Sequence, residues 1–517
     1  MRIHTLLAQI NPCVGDIQAN MKSIEAIIHQ HTHMDLIIFP ELALCGYPPE
    51  DLLCYPEFHQ EVHAALLKIS KIPTPSTIIL GTIHQGFNAA AHIHHHQIQY
   101  YYKKNLPNYG VFDKKRYFQA GKKRPYHFEI KKHRFGLMIC EDIWSLCDLS
   151  DLKLDTLITI NASPYEQNKF QKRLDVIQSI SKQSIHTIYV NQVGGQDALV
   201  FDGQSMVINP NQEIVARAKA FSPQLLEITY QAHQWTGEIA PNMPPLAEIY
   251  QALCLGLKDF MHKNGFQKAV LGLSGGIDSA LTLAIACDAI GAENVHAILM
   301  PSPFTSPMSI DDAKMQATTL GITYEVISIE PHMQSFQQSF KNMSQLTYQN
   351  LQARIRGVIL MAYSNEHQAL LLNTSNKSES AVGYGTLYGD MCGGYAVLQD
   401  VYKTQVYQLA EYRNTQTMVI PKRVITRAPS AELAPYQTDQ DDLPPYEILD
   451  AMLIDIIEHR CTQQELHQKY ETEMVDKILK KIKQSEFKRF QAPPGCKVTS
   501  VAFGKDWRFP LSQRWKI

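Results

Sequence analysis

Three side chains in the front half of the chain are of types suited to covalent chemistry. They are Glu41 in "FPELALCGYPPEDLL", Lys103 in "YYKKNLPNYGVFD" and Cys140 in "GLMICEDIW". A carboxylate can take a thiol proton, and the thiolate can then attack a carbonyl carbon. An ammonium can stabilise the charge that builds on the carbonyl oxygen. Each residue also has a plainer reading: a loop acid, a solvated lysine beside Lys104, and a core thiol closing an apolar strand. A second group lies in the rear half. "LGLSGGIDSA" (271–280) sets Ser274, Gly275, Gly276 and Ser279 between an apolar run and an alanine- and leucine-rich helical pattern. Glycines there let backbone N–H groups approach an anion at a helix N-terminus. The lysine of a G-x-x-x-x-G-K-[ST] loop is missing. A Gly-Gly turn between strand and helix is the alternative.

Both chemistries need strand ends that converge on one sheet edge. "HTLLAQ", "DLIIFP", "STIILGT", "FGLMIC", "DTLITI" and "IHTIYVN" are short, β-branched and bounded by polar or turn residues, as strands are. Helical spacing runs over 17–30 and 170–183 between them. This predicts an α/β domain with heavily buried strands. "AHQWTGEIAPNMPPL" (232–246) reads as a linker. After it come a helical segment, 246–264, and a β-α-β unit over 268–273, 278–290 and 295–300. Such a unit predicts a doubly wound parallel sheet with ligands at the strand C-termini.

Composition narrows the class. With 517 residues, two or more domains are expected; 45% apolar and 19% charged residues describe a globular chain. A formal net charge of -2 argues against a general nucleic-acid or membrane-surface binder. "MRIHTLLAQINPC" turns polar too early for a signal-peptide core, and no apolar run reaches membrane-span length. The ten cysteines form no C-x-x-C and are expected to be free thiols of a cytosolic protein. The alternation in "HIHHHQ" (His92, His94, His95, His96) fits an exposed strand better than a metal site.

"FPELALCGYPPEDLL", "KKNLPNYGVFD" and "ICEDIW" together resemble the nitrilase-type amidase domain of glutamine-dependent NAD(+) synthetases. "SGGIDS" resembles the pyrophosphate loop of ATP-pyrophosphatases, which cleave ATP between the α and β phosphates. "LLNTSNKSESAVGYGTLYGD" (371–390) resembles the G-T-x-N-K-x-E and Y-G-D region of NAD(+) synthetases. The resemblance implies a nitrilase-like α-β-β-α sandwich over 1–235, a linker and leading helix over 236–262, and a doubly wound ATP-pyrophosphatase-type domain over 263–517.

It also implies roles. Glu41, Lys103 and Cys140 form a triad that hydrolyses the glutamine side-chain amide, with Tyr109, Ser163 and Lys169 holding glutamine. ATP falls to Gly272, Leu273, Ser274, Gly275, Gly276, Ile277, Asp278, Ser279, Thr374, Lys403 and Ser430. Deamido-NAD falls to Asn350, Glu379, Tyr384, Gly385, Thr386, Leu387 and Lys488, and Mg2+ to Asp278 and Glu379. The nicotinate carboxylate of deamido-NAD attacks the α phosphorus of ATP, pyrophosphate leaves, and ammonia displaces AMP to give NAD. An adenylating site of this kind has no need of a γ-gripping lysine. Ammonia, mostly protonated in neutral water, is expected to pass between the sites inside the protein. A homo-oligomer, at least a dimer through the synthetase domain, is implied as well. The main departure is Lys114, where many relatives carry a glutamate near the triad; either Asp113 or Glu141 stands in or the glutaminase is altered, and activity is expected. Phe304, Pro307 and Ala396-Val397 depart more mildly. Two other readings make different predictions. A nitrilase-type hydrolase with a degenerate rear half would release no pyrophosphate. A nucleotide-binding regulator would bind ATP without turnover.

Overall fold

The computed structural model describes residues 1–515 except 123–125, 146–148, 341 and 436. Cys147 lies outside the described residues. The chain forms two compact units, Met1–Pro245 and Leu246–Ile517.

In the first unit, alternation along each strand builds two interfaces from one sheet. Leu7, Ile38 and Ile79 point one way and pack on Leu137, Ile158 and Val190 of a second sheet. Leu6 and Ile37 point the other way, onto Ile24, Ile28, Val62 and Leu66 of the helices Ile17–Gln30 and Pro56–Ser70. The first helix begins where the Asp16 side chain accepts the Ala19 N–H. The first sheet has the order Gln234–Gly237, Gln224–Gln231, Arg2–Gln9, Leu36–Ile38, Thr77–His84, Phe87–His94, Gln97–Tyr102. The second has the order Ile214–Arg217, Met206–Ile208, His186–Asn191, Thr156–Asn161, His133–Ile139, Tyr126–Ile130. Its outer face carries the helix Lys169–Ser181 through Ile177 and Ile180. Helix, sheet, sheet, helix is the four-layer order expected. The histidine run lies at a hairpin: His94 ends one strand, and His95 and His96 make the turn with positive φ.

The second unit is built on a five-stranded sheet with every pairing parallel. Its order is Thr323–Val326, Val295–Leu299, Lys268–Gly272, Ala369–Asn373, Tyr395–Ala396. The chain starts in the middle and winds outward in both directions. Lys268–Gly272 and Ala369–Asn373 therefore flank the point where strand order reverses, where a crevice opens at the strand C-termini. The helix Ile277–Ile290 follows the first of these strands and is apolar nearly all round, with Leu281, Leu283, Ala284 and Ile285 fully buried. Among the described residues, no helix is long and apolar enough to cross a membrane.

Candidate active sites

Glu41 stands in the turn after Leu36–Ile38, Lys103 directly follows Gln97–Tyr102, and Cys140 directly follows His133–Ile139. Gly81 lets its strand close against the Glu41 turn, since an added Cβ would lie 2.1 Å from the Pro40 carbonyl oxygen. Cys140 has φ +44°, a left-handed backbone that non-glycine residues adopt at a cost and that lifts a side chain out of the strand. Asp142 ties two of these strand ends together. Its Oδ1 accepts the N–H groups of Lys104 (3.0 Å) and Asn105 (2.7 Å). Its Oδ2 accepts the Tyr101 hydroxyl (2.9 Å) and the Ile139 N–H (3.2 Å).

The centre of the site is the Glu41 carboxylate, fully buried. Its Oε1 accepts from Asn88 Nδ2 (2.7 Å), Lys103 Nζ (2.8 Å) and Lys114 Nζ (2.9 Å). Its Oε2 accepts the Ala162 N–H at 3.1 Å. Burial alone would raise the pKa of Glu41, but the two ammoniums overcome it and hold the carboxyl at about 2. The lysines share one oxygen and respond oppositely. Burial lowers both, but for Lys103 the charges of Glu41, Cys140 and Asp142 prevail and its pKa is raised. Lys114 is pushed down to about 8 by burial, with Glu41 opposing and Lys103 adding to the depression. Burial pushes the Cys140 thiol up to about 11, against the pull of Lys103 and Lys114.

Of the residues expected to hold glutamine, Tyr109 and Ser163 lie beside this cluster. The Tyr109 hydroxyl donates to Glu141 Oε1 at 3.0 Å. Ser163 adjoins Ala162, and its Oγ accepts from Arg173 Nε at 3.1 Å. Lys169 Nζ lies 3.5 Å from Glu166 and over the Trp144 ring. Lys114 itself occupies the Glu41 site. Glu141, one of the two proposed stand-ins for the missing glutamate, accepts the Tyr109 hydroxyl and also faces the Cys140 thiol.

In the second unit, the strand Lys268–Gly272 runs into Ser274-Gly275-Gly276. Gly275 has φ +80°, and a Cβ there would meet the Ser309 carbonyl oxygen at 2.3 Å. Ser274 Oγ accepts the Gly276 N–H, and Ser279 Oγ accepts the Ser274 N–H and donates to the Gly276 carbonyl. Arg427 braces the loop through Nη2 to the Gly275 carbonyl (3.0 Å) and Nη1 to Ser309 Oγ (2.9 Å). Gly275→Ala is therefore expected to distort this loop and to lower the thermal transition of the second unit by several degrees. Thermal unfolding of the variant beside the parent measures it.

A cleft of about 280 Å³ lies at this reversal point, lined by Gly272, Leu273, Ser274, Gly276, Ile277, Asp278, Ser279, Thr374, Glu379, Tyr384, Lys403 and Ser430. Lys403 Nζ, almost fully buried, donates to Asp278 Oδ2 and to Glu379 Oε1 (3.3 Å). Asn376 Nδ2 donates to Asp278 Oδ1 at 2.9 Å. Burial pushes Glu379 up to about 8; Lys403 opposes this, and Asp278 and Asp439 add to it. One ammonium thus faces three carboxylates. No three His, Cys, Asp or Glu side chains form a metal cage among the described residues. A pair of hard carboxylates short of positive charge nevertheless suits Mg2+, which typically takes one or two carboxylates and completes its shell with water and phosphate.

Asn350, Gly385, Thr386, Leu387 and Lys488 gather beside one another instead of lining that cleft. Thr386 Oγ1 donates to Asn350 Oδ1 (2.8 Å), and Lys488 Nζ donates to the carbonyls of Gly383 (2.8 Å) and Gly385 (2.7 Å). Arg354 Nε donates to the Leu387 carbonyl at 3.2 Å. Sequence reasoning had missed Asn88, Asp142 and Arg173 in the first unit, and Arg427 and Asp439 in the second. Arg356 also lines the cleft. Asp142, two residues past Cys140 in "CED", had a local signal; the others join through contacts distant in sequence.

A carbon-nitrogen hydrolase family model matches residues 7–237, and an NAD synthase family model matches residues 249–492. The chain is 45% identical to the glutamine-dependent NAD(+) synthetase of Acinetobacter baylyi, over 99% of this chain and 98% of the relative. It is 42% identical to that of Aquifex aeolicus, over 99% of this chain and 100% of the relative.

The chain belongs to the glutamine-dependent NAD(+) synthetases.

This synthetase is also similar to the solved glutamine-dependent NAD(+) synthetase of Acinetobacter baumannii in complex with adenosine diphosphate. That likeness has a TM-score of 0.81 at 42% identity, over 99% of this chain and 98% of the other. The corresponding protein of Cytophaga hutchinsonii, with a TM-score of 0.86 at 21% identity over 99% and 98% of the two chains, shares the fold. The synthetase is an ATP-using ligase that amidates deamido-NAD to NAD with nitrogen from glutamine. The NAD synthase match over 249–492 disfavours a hydrolase with a degenerate rear half.

Proposed function

We propose that Cys140 is the nucleophile of the glutaminase half-reaction and that the crevice beside "SGGIDS" is where deamido-NAD is adenylated. The first assignment is carried by the meeting of Glu41, Lys103 and Cys140 at strand ends. The thiol proton passes to Glu41 Oε2, the less occupied carboxylate oxygen. The sulfur attacks the amide carbon, and as the C–N bond breaks the departing NH2 group takes that proton back from Glu41 and leaves as ammonia. Water then cleaves the thioester to glutamate. Tyr109, Glu141, Ser163 and Lys169 offer the polar groups that would hold the amino acid.

The second assignment is carried by the crevice at the strand-order reversal, with a Gly-Gly loop, buried Lys403 and unbalanced Asp278 and Glu379. The complex of the Acinetobacter baumannii relative with adenosine diphosphate supports an adenine nucleotide as a ligand of this chain. The nicotinate carboxylate oxygen bonds to the α phosphorus while the bridge to the β phosphorus breaks. Ammonia then adds to the acyl carbon and AMP departs, carrying the carboxylate oxygen. Adenylation is needed because a bare carboxylate offers ammonia no leaving group. Asp278 and Glu379 would hold Mg2+, which when bound offsets phosphate charge. Lys403 keeps the two carboxylates aligned, and Arg356 and Arg427 add positive charge to the wall. Asn350, Tyr384 to Leu387 and Lys488 would take the dinucleotide.

Deamido-NAD labelled with 18O in its carboxylate tests this route. One labelled oxygen is expected in AMP. Unlabelled AMP, or ADP with phosphate, would refute it. The exposed apolar side chains Leu346, Val358 and Met361 on the helix Gln345–His367 support a homo-oligomer formed through this unit. The free thiols and the substrates ATP and deamido-NAD suit a cytoplasmic setting.

A further inference from the structure

Three basic residues stand together at Lys114-Lys115-Arg116, and only the first is turned inward. Lys114 is 6% exposed, while its two neighbours are exposed. Its Nζ donates to Glu41 Oε1 and lies 4.0 Å from the centre of the buried Tyr47 ring. A buried ammonium is costly, and an uncharged side chain could cover Tyr47 at less expense in solvation. The charge therefore calls for an account.

The charged groups facing Cys140 supply one. Glu41 and Glu141 raise the energy of a thiolate there, and Lys103 and Lys114 lower it. Asp142 is already occupied by two backbone N–H groups of the 104–105 segment, the Tyr101 hydroxyl and the Ile139 N–H. Lys114 itself faces Glu41, Lys103 and Cys140, with Tyr47 beneath it and Cys45 close by. With Lys114 charged, two ammoniums match the two carboxylates. Without it, one ammonium would face two negative charges, those of Glu41 and Glu141 before the proton moves and those of the thiolate and Glu141 after it.

We infer that Lys114 sets the charge of the thiol site: its ammonium is the second cation that lets the Cys140 thiolate form beside Glu41. Lys114 acts as a positioning residue. It fills the third donor place on Glu41 Oε1, so the proton leaving Sγ goes to Oε2 while the electron pair stays on sulfur. The inference rests on Cys140 being the nucleophile and adds what makes its thiolate accessible in this chain.

Alkylation of the full-length protein by iodoacetamide tests it, with peptide mass spectrometry following Cys140 from pH 6 to 10 and exposed Cys54 as the internal reference. In Lys114→Met, Cys140 is expected to react about tenfold or more slowly at pH 7, with its midpoint moved up by about one unit or more. Lys114→Gln, which keeps a donor but no charge, should behave the same way. Lys114→Arg should stay within about threefold of the parent, since the charge survives. Parent-like alkylation in Lys114→Met would overturn the inference. So would equal losses in the Met and Arg variants, which would mean that Lys114 only fills space over Tyr47. Glutamine-driven NAD formation that survives complete Cys140 alkylation would instead refute the nucleophile assignment, whatever the Lys114 variants show.

Discussion

Cys140→Ala is expected to lower glutamine-driven NAD formation by at least about a thousandfold and to leave the ammonia-driven rate within about twofold. The reasoning is chemical and then structural. Removing the sulfur removes the only atom proposed to bond the amide carbon, and water in a buried site cannot replace it at a comparable rate. Alanine keeps the Cβ, so the left-handed backbone at 140 bears the same strain as before. Glu41 keeps its four hydrogen bonds, none of which involves Cys140. The residues lining the nucleotide crevice all lie in the second unit, so free ammonia should still reach an intact acyl adenylate. NAD formation from deamido-NAD, ATP and magnesium, with glutamine or an ammonium salt, measures both arms. A parallel fall in both would show that Cys140 supports the whole fold and not one half-reaction.

Lys403→Met is expected to do the reverse of sparing the rear site. NAD formation should fall at least about a hundredfold with either nitrogen source, while glutamate release from glutamine continues. Lys403 is the shared donor to Asp278 and Glu379, and the ammonium and both carboxylates lie largely away from water. Methionine matches its length but leaves those carboxylates facing each other and Asp439. Removing one partner of a buried pair typically costs about 3–5 kcal/mol, so the transition of this unit should fall by several degrees. The pH dependence of that loss follows from the lysine. Burial lowers its pKa, but Asp278 and Glu379 outweigh this and raise it above the ordinary value. Its stabilising contribution is therefore fully present below the usual lysine pKa and is lost only as the pH rises through the folded value. Thermal unfolding at pH 7 and AMP formation under saturating ammonium check the two arms. An ammonia-driven rate close to the parent's would remove Lys403 from the adenylation site.

What was legible in the chain was local. A strand-like run, then Ser-Gly-Gly, then an apolar helical pattern predicts a strand, a tight loop and a buried helix. Lys268–Gly272, the loop and Ile277–Ile290 have that form. Glu41 and Cys140 each follow a short β-branched run, and strand ends are where side chains leave a layered core. Periodicity and turn chemistry work over a few residues, so the sequence holds them in full. Short apolar runs alternating with helical patterns likewise implied buried strands between helices, while the four layers were implied only by the family resemblance.

The partnerships across the fold were decided only by tertiary structure. Glu41 Oε1 draws donors from 47, 62 and 73 positions away, and Lys403 reaches Asp278 across 125. Nothing within Lys114-Lys115-Arg116 says which of three cations turns inward, because the choice depends on the cavity that Tyr47 and Glu41 leave from another segment. Asn350 and Lys488 carry the right polarity for a ligand, yet their bonds go to the 383–386 loop beside the crevice. Charge and hydrogen-bonding capacity belong to a residue type and can be read in order along the chain. Which buried charges must neutralise one another is set by how distant layers pack, and that appears only once the layers are in place.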